Sequence, residues 1–179
     1  MFYGEIMSVR EGYEQLGVEG YYKEHNLDYT NPHFNKISYL LNLDEVKARI
    51  GTNVLDLCCG GGEVTTILEK QEKTYTIDGV DPYTANAYKK NTGKDCMPYS
   101  FKDIVLGALN DKKYDTIICS FAMHLCELSM LNMLLYQLAN ICDTLIILTP
   151  HKRPVIKNWW KMDKEILHEK VKLRIYSKK

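Results

Sequence analysis

The sequence predicts an α/β fold: a doubly wound, mostly parallel seven-stranded sheet with helices on both faces and an antiparallel C-terminal hairpin. Three observations predict it. Apolar, strand-like runs alternate with helical patterns between residues 53 and 149, as parallel strands with helical crossovers do. A glycine triplet, Gly60-Gly61-Gly62, follows directly on the first of these runs. Two strand-like runs close the chain with no helix between them, and such neighbours pair antiparallel. At 179 residues the chain has the length of one domain. Residues 1–179 are read as a single unit, with 1–51 an N-terminal helical cap and 52–179 the core.

Each element has a local reason. Asn31-Pro32 is a helix start, with Asn31 as N-cap and Pro32 at the first helical position. Phe34, Ile37, Leu40 and Leu41 then form one apolar helical face. A short helix over 44–50 stops at Gly51, a C-terminal cap signal. Residues 53–58 (NVLDLC) form the first strand and 63–69 a helix. A strand over 75–80 is followed by a helix over 83–91, closed by Gly93. Residues 97–100 are a short strand and 101–109 a helix. A strand over 114–120 (YDTIICS), a helix over 127–140 and a strand over 143–149 (DTLIILT) complete the parallel part. Residues 160–167 and 171–176 make the hairpin. In its second strand Val171, Leu173 and Ile175 alternate with Lys172, Arg174 and Tyr176, the period of a half-buried strand.

Composition narrows the function classes. Lys plus Arg number 23 and Asp plus Glu 23, so the net charge is zero, which disfavours a binder that coats nucleic acid with its whole surface. The charge is unevenly placed. Residues 150–179 carry ten basic and three acidic side chains, and such a basic end attracts phosphate or guards a solvated edge strand. Six cysteines show neither C-x-x-C nor zinc spacing, which predicts a reducing compartment, cytoplasm or nucleus, and no metal. No signal peptide and no transmembrane run is expected.

The chemistry concentrates at Val54-Leu55-Asp56-Leu57-Cys58-Cys59-Gly60-Gly61-Gly62. A strand runs into a glycine-rich turn that opens a helix, letting a ligand approach the backbone and its free N–H groups. The next strand ends at Gly79-Val80-Asp81, and an acid there can accept both hydroxyls of a ribose. These features predict an adenosine-type cofactor. NAD sites carry G-x-G-x-x-G after an apolar strand, whereas here the acid Asp56 lies within the strand and the glycines follow as D-x-x-x-G-G-G.

In DLCCGGG the sequence resembles the class I S-adenosylmethionine-dependent methyltransferases, whose first motif is an acid followed by G-x-G-x-G, with Cys58 in place of the first glycine. The resemblance spans roughly residues 50–179. It implies S-adenosyl-L-methionine as cofactor and S-adenosyl-L-homocysteine as product. By the same resemblance, Asp56, Cys58, Gly60 and Gly62 hold the methionine half, Asp81 the ribose, Pro82 and Tyr83 the adenine face, and Asp103 with Ile104 the adenine edge. Ser120 and Phe121 line the cofactor near the methyl group.

A general base is needed only where the acceptor carries a proton. His124, just beyond the strand at 114–120, and His151, beyond that at 143–149, are the catalytic candidates. Lys152 and Arg153 suit an anionic group of the substrate. Tyr22, Tyr29 and His33 are lid candidates in the aromatic N-terminal stretch. The Asn/Asp-Pro-Pro-Tyr motif of amino-methylating nucleic-acid enzymes is absent after residue 119, where Ser120-Phe121-Ala122-Met123 stands. Phe121-Ala122-Met123-His124 is similar to a segment of cap guanine-N7 methyltransferases and of several small-molecule enzymes. The expectation is therefore methyl transfer to an N or O acceptor of RNA, a phosphorylated metabolite or another small molecule. A partner protein supplying recognition is compatible with the small size, as is a monomer or homodimer. The alternative is a non-catalytic S-adenosylmethionine-binding adaptor or partner subunit.

Overall fold

The computed structural model describes residues 31–179 together with Glu14, Gly17 and Gly20, which are helical. The elements are α1 (Phe34–Leu41), α2 (Asp44–Lys47), β1 (Asn53–Leu57), α3 (Glu63–Glu69), β2 (Thr76–Val80), α4 (Ala85–Thr92) and β3 (Cys96–Met97). They continue with α5 (Phe101–Val105), β4 (Thr116–Ser120), a 3-10 turn (Met123–Leu125), α6 (Leu128–Ile141), β5 (Thr144–Thr149), β6 (Trp160–His168) and β7 (Val171–Lys178). The seven strands lie in one sheet in the order β3-β2-β1-β4-β5-β7-β6. β1 to β5 are parallel, and β7 joins antiparallel to both β5 and β6.

Both faces of the central strands β1, β4 and β5 are covered, so these strands are largely apolar and alternate in which face each residue serves. Leu55, Leu57, Ile117, Cys119, Leu145 and Ile147 point to the side packed by α6, with Leu134, Leu135 and Leu138. Val54, Ile118, Ile146 and Leu148 point to the other side, packed by Ile37, Leu40, Ile67 and Leu68 of α1 and α3. All these side chains are essentially removed from water, each contributing on the order of 1.5–3 kcal/mol from burial.

Several boundaries differ from the sequence expectation; the short helix expected over 44–50 ends at Lys47, and β4 starts at Thr116 rather than 114. Helix α1 starts at Phe34 with His33 at the N-cap, because the Asn31 carboxamide oxygen accepts the His33 N–H (2.9 Å) in a turn of its own. The first strand ends at Leu57, since Cys58 adopts the left-handed φ of 57°. Helix α5 ends at Val105 rather than 109, before Gly107 at φ 99°. The third strand is only Cys96–Met97. In β7 the alternation predicts solvent on one face, yet Arg174 and Tyr176 are buried. Residues 150–159 fold over that face, where Arg174 donates to the carbonyls of Pro154 and Lys152 (3.3 Å each) and to Glu165 Oε2 (2.7 Å). Among the described residues no helix is long and apolar enough to cross a membrane.

Candidate functional site

β1 pairs with β2 on one side and β4 on the other. The chain direction of the crossovers reverses at that point, and a crevice opens beyond the strand ends. A cleft of about 910 Å³, its open mouth included, lies there. Its walls come from four loops: Cys58, Gly60 and Glu63 after β1; Asp81, Pro82 and Tyr83 after β2; Tyr99, Ser100 and Phe101 after β3; and Ser120, Phe121, Ala122 and Leu125 after β4, with Asn31 above.

The loop after β1 is built by three successive left-handed positions that are not all glycine. Cys58, Gly60 and Gly62 have φ of 57°, 54° and 86°. For Cys58 this costs on the order of 1–3 kcal/mol, since it lacks glycine's freedom. Gly62 also has no room for a side chain, because a Cβ would stand 2.5 Å from Thr92 Cγ2. The adjacent Cys119 thiol and burial push the Cys58 thiol up, and burial pushes Cys126 up to about 11. Both are protonated at neutral pH, so neither is a thiolate nucleophile.

Asp81 stands at the centre. Its Oδ1 accepts the N–H groups of Tyr83 (2.8 Å) and Thr84 (3.0 Å), and its Oδ2 that of Gly60 (3.3 Å). The carboxylate thus joins the β2 end to the glycine turn while lining the cleft. Asp56 lies beneath the turn rather than in the cleft. Its Oδ2 accepts from Thr65 N (3.1 Å) and Thr65 Oγ1 (2.7 Å), and Thr65 Oγ1 lies 3.0 Å from the Tyr88 hydroxyl. Burial raises the Asp56 pKa to about 8, outweighing the Thr65 bonds. Its place is that of a positioning residue that fixes α3 against β1.

Of the residues singled out in the sequence, Cys58, Gly60, Asp81, Pro82, Tyr83, Ser120 and Phe121 converge on the cleft. Asp56, Gly62, Asp103 and Ile104 are not among its walls, and neither are the catalytic candidates His124 and His151 nor His33, Lys152 and Arg153. Asp103 closes a capping box at α5: its Oδ2 accepts from Ser100 N (2.9 Å) and Ser100 Oγ (2.6 Å), and its own N–H donates to Ser100 Oγ (3.3 Å). Ile104 is buried in the core. His33 stacks on Phe121 with ring centroids 4.7 Å apart. His124 and His151 meet at 4.3 Å. Burial, then the neighbouring His151, lower the His124 pKa to about 4, and its Nδ1 finds no hydrogen-bond partner among the described residues. Lys152 and Arg153 are exposed. Tyr22 and Tyr29 lie outside the described residues.

Sequence reasoning missed Glu63, Asn31, Tyr99, Ser100 and Leu125. Glu63 is buried in the cleft wall and accepts the Asn31 N–H (2.6 Å), and burial raises its pKa. Its signal was available: an acid in the first turn of the helix that the glycine turn opens.

A family model described as a methyltransferase domain matches residues 25–168 of this chain. An uncharacterized protein of Schizosaccharomyces pombe is 34% identical over 198 residues, covering 87% of this chain and 80% of its own. Among solved structures, magnesium protoporphyrin IX methyltransferase of Synechocystis with bound S-adenosylmethionine matches with a TM-score of 0.62 at 15% identity, over 98% of this chain and 100% of that one. A TehB-like S-adenosylmethionine-dependent methyltransferase of Corynebacterium glutamicum matches with a TM-score of 0.60 at 14% identity, over 80% and 87%. At such identities these two structures share the fold.

Proposed function

The chain belongs to the methyltransferase-domain family and is an S-adenosylmethionine-dependent methyltransferase; we propose that its cofactor lies in the cleft beyond β1, β2 and β4 and that the acceptor is nitrogen or oxygen. The observation that carries this reading is Asp81, a buried carboxylate lining the cleft beside the Gly60 N–H. The cleft suits the cofactor part by part. Asp81 would accept the ribose hydroxyls. Tyr83, Tyr99 and Phe101 offer aromatic walls for a purine. Glu63, an acid already in the cleft wall, would face the ammonium of the methionine half. Ser120 and Phe121 would stand nearer the acceptor.

Bound S-adenosylmethionine supplies a methyl group on a positively charged sulfur, open to in-line displacement. The protein's share is orientation and exclusion of water. Phe121 with the stacked ring of His33, and Ala122 and Leu125, supply apolar cover. His124 is neutral at pH 7 because its pKa lies near 4. It can therefore accept a proton from an N–H or O–H group that comes within its reach. Six unpaired thiols support placement in the cytoplasm or nucleus.

The test separates cap from ligand. Asp81→Asn keeps an oxygen for the Tyr83 and Thr84 N–H groups but loses the charge. Its stability should stay within about 1 kcal/mol of the wild type, while S-adenosylmethionine affinity by calorimetry drops at least tenfold. Equal affinity in the two proteins would remove Asp81 from the cofactor site. Methyl-labelled cofactor incubated with RNA, protein and small-molecule fractions of a cell extract then names the acceptor class.

A further inference from the structure

A strap follows β5 and runs down the side of the molecule, and every charged side chain on its outer side is basic. It starts at His151 after β5 and reaches Lys161 in β6. Thr149 stands opposite Lys172, and Trp160 opposite Lys178, along the same β7. The strap therefore descends roughly 20 Å along the sheet. It is fastened from beneath. Pro154, Ile156 and Trp160 are buried, Trp160 Nε1 donates to Leu135 O (3.0 Å), and Arg174 holds the carbonyls of Lys152 and Pro154.

What faces water includes the cations Lys152, Arg153, Lys157 and Lys161, with His151, Trp159 and the uncharged Val155 and Asn158 among them. No Asp or Glu occurs between residues 150 and 162, and α6 alongside carries no charged residue. Several other cations of this region are engaged: Lys164 with Glu45, Lys172 and Arg174 with Glu165, Lys178 with Asp143, and Lys179 with the Lys157 carbonyl. Lys152, Arg153 and Lys157 have no such pair among the described residues, and Lys161 has only the more distant charge of Asp163. An edge guarded only against aggregation needs lysines, not a displayed aromatic. Yet Trp159 is 41% exposed, its backbone is held at φ 65°, and its ring lies 4.8 Å from that of Tyr136. A bulky residue kept in the left-handed region marks a conformation with a use.

We infer that the strap is the docking track of a single-stranded RNA whose reacting end enters the cleft. The inference rests on the methyltransferase reading and names the substrate class for it. Unpaired cations spaced along a line suit successive phosphates. The Trp159–Tyr136 pair offers a face on which a base can stack, whatever its identity. Continuity with His151, which touches His124, the chain neighbour of the cleft-lining Leu125, leads the strand toward the reacting centre. An acidic peptide would meet the same cations but brings no repeating planar groups. A bilayer would need a broad apolar surface rather than a narrow basic line.

The experiment is fluorescence anisotropy of a fluorescein-labelled, mixed-sequence 15-nucleotide single-stranded RNA with the full chain, beside S-adenosylmethionine calorimetry on the same preparations. Saturable binding is expected, weakening about fiftyfold between 50 and 200 mM salt if four phosphates are neutralised. Lys157→Glu with Lys161→Glu should lower RNA affinity at least tenfold. Trp159→Gly, which suits the left-handed backbone and so keeps the fold, should lower it at least about fivefold. Cofactor affinity should be unchanged in both. No RNA binding, equal binding of duplex RNA, or variants that bind as the wild type does would overturn the inference. So would binding to phosphatidylserine vesicles or to polyglutamate in preference to RNA. A wild type that binds RNA on the strap but no cofactor would instead overturn the reading of the cleft.

Discussion

His124 is the side chain whose chemistry depends most on its surroundings. Set in the middle of the 3-10 turn and against His151, it is held neutral, with its pKa near 4. A neutral imidazole accepts a proton, so the basic form persists at every pH above about 5. By NMR, the His124 ring should show no titration between pH 5.5 and 8, where an exposed histidine changes fully. His151→Ala should move the titration upward only partly, because burial is the larger cause. A midpoint near 6.5 in the wild type would show that burial and His151 do not hold the ring neutral. At this scale the sequence was legible where spacing alone set position. Asp81 and the glycine turn are tied by short stretches of regular strand, and both reach the cleft. Asn31 and Tyr99 were not legible, because only the packing of separate loops brings them there. Asp103 shows the opposite failure: its place in the family's pattern suggested a ligand, but Ser100 three residues earlier supplied a local partner for a cap.

At the scale of elements, α4 is fixed to the sheet by the absence of a side chain. A Cβ on Gly79 would lie 2.6 Å from Tyr88 Cζ and 2.8 Å from its hydroxyl. Tyr88 fills that space completely buried and reaches Thr65, which in turn holds Asp56. Gly79→Ala should therefore cost about 1–3 kcal/mol by overpacking, read as a lower midpoint in urea with an unchanged slope. An alanine as stable as the wild type would mean that α4 can shift without loss. The strand and helix order was legible because the two-sided burial of a parallel sheet leaves continuous apolar runs between glycines and caps. Gly79 within one such run gave no hint of its partner, since a close approach between strand and helix is a tertiary fact. The burial of Arg174 was illegible for the same reason: alternation places it outward, and only the strap turns that face into an interior.

For the whole molecule, the buried acids beneath and beside the glycine turn set how stability varies with pH. Asp56 is removed from water, and its pKa rises from the ordinary carboxylate range to about 8; Glu63 is raised in the same direction, again chiefly by burial. Between about pH 4 and 8 the unfolded chain has released the Asp56 proton while the folded chain retains it. The folded state then binds more protons, so stability declines with rising pH. The contribution is complete below about pH 4 and is lost as pH passes through about 8. Opposing it, Asp163 beside Arg49 and Glu165 beside Arg174 have lowered pKa values, and their contribution disappears only in acid, below the ordinary carboxylate range. The two trends leave the greatest stability on the acid side of neutrality. The thermal midpoint should fall from pH 5 to about pH 8 and level off above it. Asp56→Asn, which can still accept from Thr65, should flatten that decline while leaving the acid limb as it is. An Asp56→Asn protein with the same alkaline slope as the wild type would show that the carboxyl ionises within the fold at no cost. The pH dependence would then have to come from Glu63 and the thiols around the cleft.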